Sequence, residues 1–584
     1  MRVLDVQNLS VQYHTGNGRK KALDEVSFSV ERGETVGIVG ESGSGKSTAM
    51  LAVMGLLPEN AEVTSDEISV CGRQASPERD IAMVLQDSLS CLNPTVKIGR
   101  QITETIRAHK KCTRQEARER AEELLDMAGI RDPKLRMRQY PFELSGGMRQ
   151  RTAIAITLAC EPKLIIADEP TTALDAAVQA QILRLLKRIV RDTDASLLVV
   201  SHDMGVIAAL CGRVFVMQSG RIVEQGAAEE IFYSPQQEYT KKLLRDAKGS
   251  EYFPAGGRDG EVLLRLEHVT KVFGTRDGIR DISFDIRKGE VYALAGDSGS
   301  GKTTLARILT GILKPDSGVI FYKGEKLETA ASAGAWRGKI QMVFQDPYGS
   351  LNPCLTAGCA LSEALKAQGR MTAKERWKKV EEMLSLVGLS SEDADRYSEE
   401  FSGGERQRIG IARALISEPE LLICDEALSA LDAAARAQIL ELLLSIQRKR
   451  GIACLFISHD LALIRKISSR ISVLYGGRMA ESGETKEVCS DPWHPYTKLL
   501  LNAVPRPDLP NARKARPVLP AETVRRKERE KGCPFGELCG HAMECCCSEA
   551  PGLYSFGRRK IACFLYSEEH TGRRTKGYRM TSQI

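Results

Sequence analysis

Two kinds of hydrophobic pattern alternate along the chain. Short runs rich in β-branched residues, such as 35–39 and 197–200, predict strands. Longer stretches, such as 114–128 and 373–387, set apolar residues at helical spacing among charged ones and predict amphipathic helices. Strands alternating with helices predict an α/β fold, with a mostly parallel sheet between helical layers. The helical stretch ahead of each Ser-Gly-Gly predicts a small subdomain of its own.

The pattern also repeats. Gly40-Glu-Ser-Gly-Ser-Gly-Lys46-Ser47 returns as Gly296-Asp-Ser-Gly-Ser-Gly-Lys302-Thr303, and Leu144-Ser-Gly-Gly as Phe401-Ser-Gly-Gly. Ile165-Ile-Ala-Asp168-Glu169 returns as Leu422-Ile-Cys-Asp425-Glu426, and Ser201-His202-Asp203 as Ser458-His459-Asp460. Lys46 and Lys302 stand 256 residues apart and His202 and His459 stand 257 apart, so the copies are collinear. Two tandem domains follow, 1–248 and 261–505, joined by a glycine-rich polar linker over 249–260. Residues 506–584 form a basic linker and a Cys-rich extension.

Composition narrows the class. The 584 residues are 42% hydrophobic and 27% charged, as in ordinary globular domains, and the formal net charge of +7 is only mildly basic. No stretch approaches the roughly 18–20 apolar residues needed to cross a bilayer, and Met1 to Tyr13 carries no apolar signal core. A cytosolic chain is expected, with any membrane work done through partners. Ten of the 16 cysteines are scattered singly between Cys71 and Cys489, which suits reduced thiols.

The repeated motifs carry chemistry. In G-x-x-x-x-G-K-[ST] the glycines let backbone amides turn inward on phosphate oxygens, and the next helix adds its positive end. Gly40, Gly43, Ser44, Gly45, Lys46, Ser47 and Thr48 form the first such loop; Gly296, Gly299, Ser300, Gly301, Lys302, Thr303 and Thr304 form the second. The lysines reach the β- and γ-phosphates of ATP, and the Ser47 and Thr303 hydroxyls are offered to Mg²⁺. Asp168 and Asp425, ending apolar strands, would hold the same ion; Glu169 and Glu426 beside them are then free to act as general bases.

With these parts in order, the chain resembles ATP-binding cassette proteins, a likeness that covers nearly its whole length. Ser145-Gly146-Gly147 and Ser402-Gly403-Gly404 match that family's signature, a second anion cradle. The resemblance implies that Lys46 works with Ser402 and Lys302 with Ser145. It implies that Gln86 and Gln345 sense Mg²⁺, that His202 and His459 contact the γ-phosphate, and that Tyr13 and Phe273 stack on adenine. Asp175 and Asp432 match the loop that crosses between domains. It further implies an antiparallel β subdomain and a helical subdomain in each P-loop NTPase domain. One departure stands out: Ala427-Leu-Ser-Ala follows Asp425-Glu426, where the first copy has Pro170-Thr-Thr-Ala. The catalytic atoms are unaffected, and both sites read as competent.

Finer likeness points to importers of dipeptides, oligopeptides and nickel. Ser88-Leu-Ser-Cys-Leu-Asn-Pro and Pro347-Tyr-Gly-Ser-Leu-Asn-Pro resemble that branch, as do Ser234-Pro-Gln-Gln-Glu-Tyr-Thr-Lys-Lys-Leu-Leu and Asp491-Pro-Trp-His-Pro-Tyr-Thr-Lys-Leu-Leu-Leu. The chain is similar to the branch's two ATPase subunits fused. That implies two permease subunits and an extracytoplasmic binding protein as partners, and a peripheral place on the cytoplasmic face of the plasma membrane. The tail resembles an extension that in some members holds a 4Fe-4S cluster, through Cys533, Cys539, Cys546 and Cys563. Spacing alone suits zinc as well, and free thiols stay open. Two rivals are a soluble twin-cassette ATPase acting on ribosomes or DNA and an exporter ATPase. The short join and the lack of a long insertion between Lys46 and Ser145 speak against the first, so no nucleic acid is expected.

Overall fold

A computed structural model describes residues 2–15, 18–74, 80–85, 91–172, 174–248, 260–274, 277–327, 338–366, 371–428, 431, 433–503, 507–513 and 532–567. The chain divides into two compact units, one of residues 1–250 with 503–524, the other of residues 251–502 with 525–584. The tail that reads as one extension in the sequence thus gives its helix Leu509–Arg513 to the first unit and its Cys-rich part to the second.

In the first unit the strand Arg2–Thr15 pairs antiparallel with Gly18–Glu31 on one side, and with Ala61–Thr64 and Glu67–Val70 on the other. Behind this lies a six-stranded sheet in the order Arg221–Ala227, Arg213–Gln218, Thr35–Val39, Ser196–Ser201, Leu164–Asp168, Ile81–Val84. Every neighbouring pair is parallel except the first. Leu164–Asp168 and Ser196–Ser201 are buried along their whole length, because helices cover both faces of a parallel sheet. That is why their sequences are continuous apolar runs. A helical layer follows from Ile98–His109 and Arg114–Met127. The helix Arg114–Met127 starts at Thr113, whose hydroxyl accepts from the Glu116 N–H while the Glu116 carboxylate accepts from the Thr113 N–H.

The second unit repeats this plan. Val262–Phe273 pairs with Asp277–Arg287 and Ser317–Tyr322, and Thr372 with Glu375 begins the helix Ala373–Leu386 by the same reciprocal cap. Its main sheet runs Ile340–Val343, Leu421–Asp425, Ala453–Ser458, Val291–Ala295, Arg470–Tyr475, Arg478–Glu484. Two short tail strands then extend it, Arg559–Ile561 and Tyr554–Phe556, with Glu481 opposite Ile561 and Ser482 opposite Lys560. No helix among the described residues is long and apolar enough to cross a membrane.

Candidate functional site

Each phosphate loop links a buried strand to a helix: Thr35–Val39 to Lys46–Val53, and Val291–Ala295 to Lys302–Leu309. The turn depends on glycine. Gly45 sits at φ 101° and Gly301 at φ 98°, left-handed positions that cap the two helices. A Cβ on Gly45 would lie 2.7 Å from Leu23, and one on Gly301 would lie 2.4 Å from Ile279. Lys46 Nζ donates to the carbonyls of Gly40 (2.9 Å) and Glu41 (2.8 Å), and Lys302 Nζ to those of Gly296 and Asp297 (both 2.8 Å). Both lysines are buried, and their ammonium groups lie inside the curl of the loop.

The carboxylates arrive on parallel strands one removed from those that lead into the loops, with Ser196–Ser201 and Ala453–Ser458 between them. Asp168 and Asp425 end Leu164–Asp168 and Leu421–Asp425 and are almost fully buried. Burial pushes both carboxyls above the ordinary aspartate range, against hydrogen bonds from the Ser47 and Thr303 hydroxyls. One oxygen of each, Asp168 Oδ1 and Asp425 Oδ1, is buried without a hydrogen-bond partner. A buried carboxylate oxygen that lacks a donor, beside a hydroxyl, is the chemistry a Mg²⁺ ion satisfies, so these residues fit that metal.

Glu169 and Glu426 are both held at φ 47°, in the left-handed region that a side-chain-bearing residue rarely adopts. The same outlier in both copies marks a conformation the surroundings impose. His202 Nδ1 lies 2.9 Å from Glu169 Oε1, and the Thr172 hydroxyl donates to Glu169 Oε2 at 2.9 Å. Burial pushes Glu169 up, but His202, Thr172 and Lys46 outweigh it and hold it below the usual glutamate range. In the second unit His459 Nδ1 stands 3.4 Å from Glu426 Oε1 and Lys302 Nζ 3.7 Å from it, while Gln345 Nε2 donates to Glu426 Oε2 at 2.8 Å. Burial alone would lower the His459 imidazole; facing Glu426 raises it instead. Glu426 is likewise held below its usual range, His459 and Lys302 outweighing burial. The residue in register with Thr172 lies outside the described residues, as do Gln86 and Asp432.

The other expected site residues sit farther from this chemistry. Ser145 and Ser402 are exposed N-caps of the helices Gly146–Ala159 and Gly403–Leu415, accepting from the Met148 and Glu405 N–H groups. Gly146 and Gly147, and Gly403 and Gly404, open those helices at their positive ends. Asp175 caps Ala176–Asp192 by accepting from the Val178 N–H. Tyr13 is half-buried and packs against the core of the antiparallel sheet, whereas Phe273 is 44% exposed with Lys271 Nζ 5.8 Å from its ring.

Sequence reasoning missed two tyrosines. The Glu41 N–H donates to the Tyr239 hydroxyl at 3.0 Å and the Asp297 N–H to the Tyr496 hydroxyl at 2.9 Å. They stand 257 residues apart, the same offset as the histidines, and that repeat within the terminal motifs was the available signal.

Comparison with known proteins gives the family. A family model described as "ABC transporter" matches residues 23–172 and 279–429. The chain belongs to the ABC transporter family. Residues 480–546 match a further model, "Oligopeptide/dipeptide transporter, C-terminal region", which places this ABC protein in that branch. Two relatives named "Glutathione import ATP-binding protein GsiA", from Escherichia coli O157:H7 and Shigella dysenteriae serotype 1 (strain Sd197), are each 41% identical over 557 residues. Each match covers 86% of this chain and 89% of the relative. Among solved structures, cbiO1 from Clostridium perfringens, part of the ABC transporter complex cbiONQ, is 28% identical. It covers 40% of this chain and 92% of that one, with a TM-score of 0.36. The ABC chain is an ATPase that works on ATP with Mg²⁺.

The Cys-rich tail lies in the second unit. Cys533, Cys539, Cys546 and Cys563 lie near enough to act on one another electrostatically. Backbone N–H groups point at their sulfurs: Phe535 and Gly536 at Cys533, His541 at Cys539 (3.4 Å), Met543 at Cys546 (3.4 Å) and Leu565 at Cys563. Burial raises the Cys533 thiol to about 11 and the Cys563 thiol to about 12. Among the described residues no group of three or more Cys, His, Asp or Glu is placed to hold a metal ion.

Proposed function

We propose that this chain is the energising subunit of an importer for peptides, driving two separate permease subunits from the cytoplasmic face of the membrane. In each cassette the phosphate loop holds the nucleotide, Lys46 and Lys302 neutralising its β- and γ-phosphates. Ser47 with Asp168, and Thr303 with Asp425, would hold Mg²⁺, joined by Gln86 and Gln345, and the bound ion would supply charge neutralisation at the γ-phosphate. Glu169 and Glu426 accept a proton from the attacking water, while His202 and His459 hold those carboxylates and sense the γ-phosphate. Tyr13 and Phe273 receive the adenine ring. The exposed Ser145-Gly146-Gly147 and Ser402-Gly403-Gly404 cradles, each at a helix start, take up phosphate on closure.

The observation that carries the ATPase chemistry is the buried, donorless oxygen on Asp168 and on Asp425, each beside a glutamate held by a histidine. For the cargo, support comes from the match over residues 480–546 and from the near full-length likeness to relatives that import glutathione, itself a small peptide. An extracytoplasmic binding protein would deliver it. The test is uptake by vesicles holding the two permeases, this chain and the binding protein, with labelled di- and oligopeptides and with Ni²⁺. ATP-dependent peptide uptake supports the reading. Turnover indifferent to permeases but raised by ribosomes or DNA overturns it.

For the tail, an iron–sulfur cluster is supported by the sequence spacing of Cys533, Cys539, Cys546 and Cys563 and not by their present placement, which sets no three of them around one ion. Anaerobic purification with iron and sulfide analysis decides it. Visible charge-transfer absorption that disappears in Cys546→Ser supports a cluster, and colourless protein with stoichiometric zinc overturns it.

A further inference from the structure

Both phosphate loops are pinned from outside by a tyrosine of a terminal helix. Glu41 and Asp297 occupy the same place in the two loops, directly after the first glycine, and their backbone N–H groups point at Tyr239 and Tyr496. Burial and the nearby Asp297 carboxylate hold the Tyr496 hydroxyl well above the ordinary tyrosine range, so it stays protonated beside the loop. Lys242, on the same helix as Tyr239, pairs with the Glu41 side chain at 3.1 Å. A phosphate loop binds through the aim of its amides, and a residue that fixes the loop's first turn fixes that aim.

The two anchors differ in what stands behind them. Tyr239 is half-buried in the first unit. Tyr496 is fully buried in an aromatic cluster, its ring 4.4 Å from Tyr475 and 5.6 Å from Phe535. Phe535 belongs to the Cys-rich tail, two residues past Cys533, and its ring also meets Tyr475 at 5.3 Å. The tail reaches this spot over Gly476, where a Cβ would come within 3.1 Å of Pro534. His494 completes the wall, its ring 5.9 Å from Phe535.

We propose that Tyr239 and Tyr496 are positioning residues that set ATP affinity at their phosphate loops, and that the tail, through Phe535, supports this in the second cassette only. The proposal rests on the ATPase reading of both loops. Removing the hydroxyl while keeping the ring leaves the Asp297 or Glu41 N–H without its acceptor. One hydrogen bond is then lost and the loop's first turn loosens.

The test is equilibrium titration of the full chain with a fluorescent ATP analogue, one site silenced at a time. Tyr496→Phe goes into a Lys46→Ala chain and Tyr239→Phe into a Lys302→Ala chain. Each is expected to raise the Kd at the remaining loop about 2- to 10-fold. In chains with both lysines present, KM for ATP should rise while kcat at saturation is kept, a split that general loss of structure would not give. Phe535→Ala should weaken the second loop and leave the first unchanged. Unchanged affinity in both Tyr→Phe chains overturns the positioning role. Phe535→Ala acting on both loops, or on neither, overturns the tail's part. A wild-type chain that binds no ATP overturns the ATPase reading and this proposal with it.

Discussion

Removing the Arg559 side chain should undock the Cys-rich tail. Arg559 Nε donates to Glu481 Oε1 at 3.0 Å, its Nη2 bonds the same carboxylate and the Asp491 carbonyl, and its guanidinium lies 4.2 Å from the Trp493 ring centre. Glu481 is fully buried and also accepts from the Trp493 and His494 N–H groups, both at 3.0 Å. Arg559→Ala therefore leaves a buried carboxylate with two amide donors and no counter-charge. Breaking a buried pair in this way costs about 3–5 kcal/mol, and the two surviving amide bonds favour the lower end. About 3 kcal/mol corresponds to roughly a hundredfold rise in the undocked population. Amide hydrogen exchange over residues 554–567 of the intact chain reads this directly: protection should fall by about that factor. Arg558→Ala is the control, because its 3.3 Å pair with Glu484 is exposed and worth about 0–1 kcal/mol. Glu481→Gln combined with Arg559→Met should recover much of the loss by removing the stranded charge. Unchanged protection in Arg559→Ala would refute the reasoning.

Two further outcomes follow from single residues. Gly301→Ala forces a Cβ onto Ile279 at a left-handed position, so nucleotide affinity at the second loop should fall at least about tenfold with the first unaffected, read by analogue titration. Burial lowers the His494 imidazole to about 4, so the folded protein keeps it neutral where the unfolded chain, near 6.5, takes up a proton. The stability it gives is complete above pH 6.5 and is lost as pH falls towards about 4, a change of about 3 kcal/mol. Denaturant titrations across that range should show a shallower pH dependence in His494→Gln, and an unchanged slope would contradict it.

Much of the nucleotide site could be read in the sequence because its parts are short and local. A glycine-rich turn after an apolar strand, or an acidic pair at a strand's end, has the same consequence wherever it occurs, and repetition at a fixed offset removed the ambiguity. The strand Thr35–Val39 and the helices Arg114–Met127 and Ala373–Leu386 followed from period in the same way. What escaped depends on contacts between distant segments. Nothing in Glu481's neighbours shows that it will be buried beneath an arginine 78 residues later. The tyrosine anchors were visible as part of a motif, yet their role lies in reaching a backbone N–H 198 or 199 residues earlier. The change from Pro170-Thr-Thr-Ala to Ala427-Leu-Ser-Ala leaves Glu426 in the same backbone conformation as Glu169.

The central claim is that both cassettes hydrolyse ATP with Glu169 and Glu426 as the bases. Its most direct test is steady-state turnover and ATP binding of the purified chain beside Glu169→Gln, Glu426→Gln and the double variant. Each single change should lower turnover, and the double variant should lose about 10²–10⁴-fold while still binding ATP. Turnover retained in the double variant would contradict the account, because the water would then be activated elsewhere.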